Sequence, residues 1–480
     1  MLRLSCGFFL FIWLLPFAPH AQLLFSPSRG NYAGLGGAAW NPATIADNRY
    51  SVQLQLFAVD GHTTNSTTGI LGSEGVRILE NGLALSSAYL SSPLSTRVNA
   101  FSAGLNLRGP GLFLRLSPRQ SLAFSTRART SFQGNEVSHV FWQNATEGFS
   151  TRGNATNNSF NLSANAVAEW DLTYGRVVYE QGAHFLKAGM TLKRLMGRGA
   201  AYVQAKNLNY DVGAQSYAAG DTTVRIRNVA AAIGFANVAA FQDMGLVAMA
   251  HWLEGGQTPG TGWGADFGVV YEYRPKWDRY TYRDTGGRER IDYSCTKYRF
   301  RLAASVVDLG AVLYNTQATA YQFQTSNLGV SAADINGLRF DTYETRANRV
   351  LGKQQASKTD HFTVGMPTTV NVDLDARIGG AFYVNMALSQ GLRRSEAISL
   401  HSMSFASLTP RLETRYLEIA LPLSLTNEYR QIAAGVMVRL GSLLLGSNNL
   451  SSLFVDNRPY GVNAYAEISL LSWANRRPKK

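Results

Sequence analysis

Two stretches near the C-terminal end decide the fold: AFYVNMALSQ at Ala381–Gln390 and RYLEIALPLSL at Arg415–Leu425. In the first, Phe382, Val384, Met386 and Leu388 alternate with Tyr383, Asn385, Ala387 and Ser389. In the second, Leu417, Ile419, Leu421, Leu423 and Leu425 alternate with Tyr416, Glu418, Ala420, Pro422 and Ser424. Successive side chains of a strand point to opposite faces, so each segment has one apolar wall and one polar wall. Lipid outside and water inside uses both walls. The pattern predicts an all-β protein, a transmembrane antiparallel barrel.

The N-terminus predicts export. Met1–Ala21 carries one basic residue (Arg3), an apolar run from Phe8 to Phe17 and a small residue at Ala21, the layout of a cleaved secretory signal. Cys6 precedes the apolar run, whereas a lipidation cysteine would follow it. Cleavage would leave Cys295 as the sole cysteine and exclude an intrachain disulfide. No later stretch approaches the ~20 apolar residues of a membrane helix. A bilayer cannot satisfy an open sheet edge, so a spanning sheet must close on itself. The expected layout is a signal peptide at 1–21, a hatch or plug at 22–49, the barrel at 50–473 and a basic periplasmic tail at 474–480.

Composition fits a barrel. The chain has 45 glycines, 8 Trp, 22 Tyr and 24 Phe, with only 16% charged residues. The aromatics are available for interfacial girdles, as at Trp263, Tyr271 and Tyr273. The net charge of +13 does not point to nucleic acid. Basic residues such as Arg115, Lys187 and Arg439 fall on the polar phase of strands, suiting a lumen or anionic headgroups at the rims, and no nucleic-acid motif accompanies them.

Strand candidates run along the chain. They include Tyr50–Val59, Val98–Arg108, Gly111–Ser117, Leu122–Arg129, His184–Leu192, Gly245–Leu253, Trp263–Arg274, Lys297–Leu309 and Gly461–Trp473. At about 9–11 residues per spanning strand, the length suits about 14 strands, with a range of 12–16. Asp60–Arg97, Thr130–Ala168 and the charged Arg274–Lys297 read as outward-facing loops, the last also as a surface for protein partners.

Before the first strand, Gly30–Tyr50 reads GNYAGLGGAAWNPATIADNRY. Small residues allow tight backbone packing, and Pro after Asn favours a turn. Here the chain resembles outer-membrane barrels of the long-chain fatty-acid transporter superfamily, which carry Asn-Pro-Ala in an N-terminal hatch. Asn41-Pro42-Ala43 matches that signature, and the resemblance implies a hatch or gate at Trp40, Asn41, Pro42 and Ala43. A closer resemblance is to a family of uncharacterised Bacteroidetes outer-membrane barrels, a domain of unknown function. It rests on NPATIADNRY (Asn41–Tyr50), YEYRPKWDRYTY (Tyr271–Tyr282), KYRFRLAASVVDLG (Lys297–Gly310) and VRLGSLLLGSNNL (Val438–Leu450). It implies location in the bacterial outer membrane, among lipid and lipopolysaccharide, and supplies no activity. The chain departs from the aromatic ending of many barrels, since ANRRPKK follows Trp473.

Catalytic signals are weak. Asp360-His361 is half of an acid–base pair without a positioned nucleophile. No spacing of His and Cys suits a metal, and GLGG at Gly34–Gly37 follows no strand. The expectation is a non-enzyme without cofactor, and a hatch-gated transporter or channel for a hydrophobic or amphipathic small molecule. The alternative is a non-catalytic scaffold or shuttle subunit of a secretion or cell-surface assembly machine, with protein partners on its extracellular loops.

Overall fold

The computed structural model describes residues 29–473, apart from 66–68, 71–89, 92–98, 147–148, 151, 217–221, 243, 284–285, 288, 294, 333–344, 346–347, 350–355, 395–396 and 451–460. The expected signal peptide and basic tail lie outside the described residues. The chain forms a closed antiparallel barrel of 14 strands. Closure comes from the first strand, Val52–Asn65, pairing with the last, Gly461–Trp473, from Val52↔Trp473 to Thr64↔Gly461. No helix among the described residues is long and apolar enough to cross a membrane.

The burial pattern is inside out, as the alternation predicts. Along Phe382–Gly391, Phe382, Met386 and Leu388 are 62%, 55% and 43% exposed, while Tyr383, Asn385 and Ser389 are 4%, 1% and 4%. Trp263, Phe267 and Val269 are exposed on Gly260–Tyr273, between the buried Asp266 and Glu272 on the opposite phase. Water-facing proteins bury the apolar phase; a wall meeting lipid reverses this.

Tight turns mark one end of the barrel. Gly182, Gly380 and Gly441 sit at the first position of two-residue hairpins with φ of 55°, 55° and 59°, a conformation that costs glycine nothing. Arg274–Arg299 lies at this same end, because Tyr273 pairs with both His184 and Phe300. The expectation that Arg274–Lys297 is an outward-facing loop is therefore corrected: it joins strand ends at the end where the N-terminal segment enters.

Other expectations also shift. Thr130–Ala168 is largely strand, since Gln120–Val137 and Gly153–Gln181 run far into it, with a helix at His139–Thr146 between them. Its Asn residues look like loop composition, yet Asn135, Asn161 and Asn165 are buried. The expected strands Val98–Arg108 and Gly111–Ser117 are one, Asn99–Ser117, with a bulge at Gly109-Pro110. Asp60–Arg97 begins as strand up to Asn65, and much of the remainder lies outside the described residues.

Gly245–Leu253 is not a strand but contains the helix Leu246–Trp252. Thr222–Ala236 and Gly260–Tyr273 are two halves of one pass. Both pair with His184–Ser216, meeting it at Ala236↔Ala200 and Gly260↔Gly197. Residues 237–259 leave the wall mid-strand and pack on its outer side. There Phe241 contacts Phe132 edge-on, Met249 clusters with Leu107 and Ala128, and Trp170 Nε1 donates to the Leu253 carbonyl at 2.9 Å.

Candidate functional site: the N-terminal segment and the lumen

The segment from Arg29 to Tyr50 touches strands from all around the barrel. Asn31 donates from its backbone and side chain to Glu413 at 3.0 and 2.8 Å, and Leu35 N donates to Gln53 Oε1 at 2.7 Å. Trp40 Nε1 donates to Asp373 Oδ1 at 2.8 Å, and the Trp40 carbonyl accepts from Ser305 Oγ at 2.6 Å. These partners lie on separate strands, so the segment crosses the interior.

Trp40, Asn41, Pro42 and Ala43 come together at one place on the wall, all nearly or fully inaccessible. Asn41 caps a 3₁₀ turn, Pro42–Ile45, its Oδ1 accepting from Ala43 N at 2.9 Å. Its Nδ2 donates to the carbonyls of Val269 and Ala304, at 3.1 and 3.0 Å, on two neighbouring strands. One amide side chain thus uses both donors and its acceptor, which offsets its burial. Proline at the first position of the turn has no N–H to leave orphaned.

The wall is carved to receive this turn. Gly175, Gly189 and Gly268 stand in register on three adjacent strands. A Cβ on Gly189 would lie 2.5 Å from Pro42 and Ala43 backbone atoms. On Gly268 it would lie 2.1 Å from Asn41 Oδ1, and on Gly175 2.6 Å from Ile45 Cγ1. Sequence reasoning missed this row. Each glycine looks ordinary alone, and only strand register brings the three together.

Around the segment, lumen-facing charges form three buried groups. Asp47 meets Arg274 Nη2 at 2.5 Å and Lys297 Nζ at 2.6 Å, while Glu272 meets Lys187 at 2.8 Å. Burial would raise the Asp47 carboxyl, but Lys297 and Arg274 hold it below its usual value. A second group joins Arg411 to Asp375 through two bonds of 2.8 and 3.0 Å and to Glu413 at 3.0 Å, with Arg439 on Glu418 at 3.0 Å. A third sets Arg127 on Glu169 at 2.7 Å, Arg129 on Asp308 at 2.8 Å and Lys193 between Asp266 and Asp308 at 2.9 and 2.5 Å. Lys187 and Arg439 thus occupy the lumen as their strand phase predicts. Arg115 lies against the segment, donating to the Tyr50 carbonyl at 2.7 Å.

Above the segment lies a cavity of about 140 Å³. Gly36, Ala39 and Trp40 line it from the N-terminal segment, Leu400–Met403 from the far side, and Asp60, His62, Arg108, Arg127 and Arg129 from the wall. The stretch around Leu400 folds back on the strands: Leu400 N donates to the Gly365 carbonyl at 3.1 Å, and Arg393 to the Met366 and Gly310 carbonyls at 2.9 and 3.0 Å. No group of His, Cys, Asp and Glu among the described residues is arranged to hold a metal. Asp360 and His361 are exposed; their side chains meet one another at 2.9 Å, and the His361 carbonyl accepts from Thr359 Oγ1 at 3.1 Å. Burial and the Asp292 carboxylate push the Cys295 thiol up, which disfavours the reactive thiolate.

Fold and site define a class: a closed 14-strand barrel of inverted polarity, with its N-terminal segment drawn into the lumen. More particularly, the chain belongs to the Family of unknown function (DUF5723), whose profile matches residues 42–448 and so begins within the Asn-Pro-Ala turn. Comparison with curated proteins gave no match. Among solved structures, the P. putida toluene transporter TodX is similar at 10% identity over 91% of this chain and 92% of that one, with a TM-score of 0.37. The Ralstonia pickettii toluene transporter TbuX gives 10% identity over 91% and 93%, TM-score 0.38. A Pseudomonas aeruginosa FadL homologue gives 10% over 90% and 90%, TM-score 0.27.

Proposed function

We propose that the chain is a bacterial outer-membrane barrel, gated by a hatch formed by residues 29–50, that passes a small hydrophobic or amphipathic compound. The inverted wall supports the membrane assignment, because a spanning sheet must be closed and present its apolar phase to lipid. The observation that carries the gating is the cavity between Gly36, Ala39 and Trp40 on one side and Leu400–Met403 on the other. Its lining mixes Val307, Leu400 and Met403 with arginines, a surface for a compound with one apolar and one polar part.

The hatch is held by hydrogen bonds and ion pairs to the wall, not by a continuous strand, so it can leave without breaking the barrel ladder. The test is efflux from proteoliposomes loaded with small amphipathic solutes. The intact protein should release selected solutes slowly, and protein lacking Gly30–Ala46 should release small solutes rapidly and without selection. Equal, negligible efflux from both would remove the gating.

One observation favours a second reading, a non-catalytic scaffold of an assembly machine. The three buried charge groups join neighbouring strands and brace the wall from within. A barrel that stays sealed without its hatch and copurifies with stoichiometric protein partners would support this scaffold instead.

A further inference from the structure

The cavity holds two charges that the ion networks leave out. Arg108 is 8% exposed and Asp60 3%, and both line the cavity. Arg127 and Arg129 beside them are committed to Glu169 and Asp308. Arg108 has no hydrogen bond or ion pair among the described residues, and Asp60 accepts only a long bond of 3.4 Å from Asn106. A buried guanidinium with five donors and a buried carboxylate cannot remain unsatisfied without heavy cost.

Asp60 pairs with Asn106 and Ala58 with Arg108, so the two stand on a cross-strand diagonal, about 7–8 Å apart at the backbone, close enough to feel one another's charge but without a direct ion pair. Glu467 is the other carboxylate facing Arg108, across Ala58. Gly36 of the N-terminal segment lies against both: a Cβ there would lie 3.4 Å from Arg108 Nη1 and from Glu467 Oε2. With the segment in place, the cavity therefore presents a cation and an anion side by side, neither held in a direct ion pair.

We propose that this cavity binds a small zwitterion with an apolar side chain, of the α-amino-acid type. Its carboxylate sits on Arg108 and its ammonium on Asp60, while Leu400 and Met403 contact the side chain. A lone anion would leave Asp60 unmatched and face its repulsion; a lone cation would meet the same problem at Arg108. The inference rests on the hatch-gated reading and narrows its substrate class.

The test is calorimetric titration of the purified full-length protein in detergent with L-leucine, isocaproate and isoamylamine, which share the side chain and differ in charged groups. Leucine should bind at least about tenfold more tightly than either analogue. Arg108→Gln should reduce leucine to the level of isoamylamine, and Asp60→Asn should reduce it to that of isocaproate. Arg108→Lys keeps the charge and should restore part of the preference, separating recognition from misfolding. No saturable leucine binding, or isocaproate binding as tightly as leucine, overturns the inference. If removing Gly30–Ala46 still opens a path while leucine fails to bind, the hatch stands and the zwitterion falls.

Discussion

Gly189→Ala adds one methyl group where the Pro42–Ile45 turn of the proposed hatch touches the wall. The new Cβ would lie 2.5 Å from the Pro42 carbonyl group and from Ala43 N. Carbon contacts are comfortable at about 3.5–4.0 Å, so the turn must retreat by roughly 1 Å. Both sides of the contact are backbone, so no rotamer change relieves it. Asn41 bonds of 3.1 and 3.0 Å to Val269 and Ala304 would then stretch past useful length. Overpacking of this kind costs about 1–3 kcal/mol. A middle value of about 2 kcal/mol raises the undocked hatch population about 30-fold. The assay is maleimide labelling of a cysteine at Ile45, fully buried in the docked segment, in a Cys295→Ser background. Labelling should accelerate about 30-fold with Gly189→Ala. It should not change with Gly153→Ala, where a Cβ meets nothing within 4 Å. Unchanged labelling in a folded Gly189→Ala barrel would refute the packing argument.

Other outcomes follow from the same contacts. Trp40→Phe keeps the ring against Phe405, 6.0 Å away, but removes the 2.8 Å bond to Asp373, leaving that buried acceptor short of a donor. It should loosen the hatch by about 1–3 kcal/mol, read in the same labelling assay. Asp47 is held below its usual value of 3.8, so its contribution to docking is complete above that value and is lost as pH falls below it. Hatch protection should be flat from neutral to mildly acidic pH and fail only in strong acid, while Asp47→Asn should weaken it already at pH 7. Met386→Arg places a charge on the lipid-facing phase and should cost about 2–4 kcal/mol of membrane-inserted stability if it lies near the midplane, measured by denaturant titration in vesicles. A Met386→Arg barrel as stable as the parent would contradict the lipid-facing assignment.

Alternation alone made the barrel legible, because a strand with one wet and one greasy wall needs no tertiary knowledge to recognise. The 14 strands follow from length and spacing for the same reason. What failed is what depends on register or on the barrel's interior. Thr130–Ala168 reads as loop because lumen-facing Asn and Ser residues have loop-like composition, although Asn135, Asn161 and Asn165 face inward and are buried. Gly245–Leu253 was ambiguous by length, since a short apolar run suits strand or helix equally. The end of the barrel to which Arg274–Lys297 belongs depends on the parity of preceding passes, and one interrupted pass reverses it. At the site, Trp40–Ala43 stood out by composition and position, and the structure places all four buried against the wall. Their partners did not stand out: Gly175, Gly189 and Gly268 become a docking row only when three strands are placed side by side. That Arg108 and Asp60 stand outside the direct ion pairs was invisible among many charges, since only geometry shows which charges meet.

The central claim is that the N-terminal segment closes a passage that the barrel otherwise contains. Single-channel recording in planar bilayers tests it most directly, comparing the intact protein with one lacking Gly30–Ala46. The account predicts a silent or briefly flickering intact protein and a steady open level after deletion. Two silent proteins would mean that the charge groups themselves seal the lumen, and two equally conducting ones that the segment closes nothing.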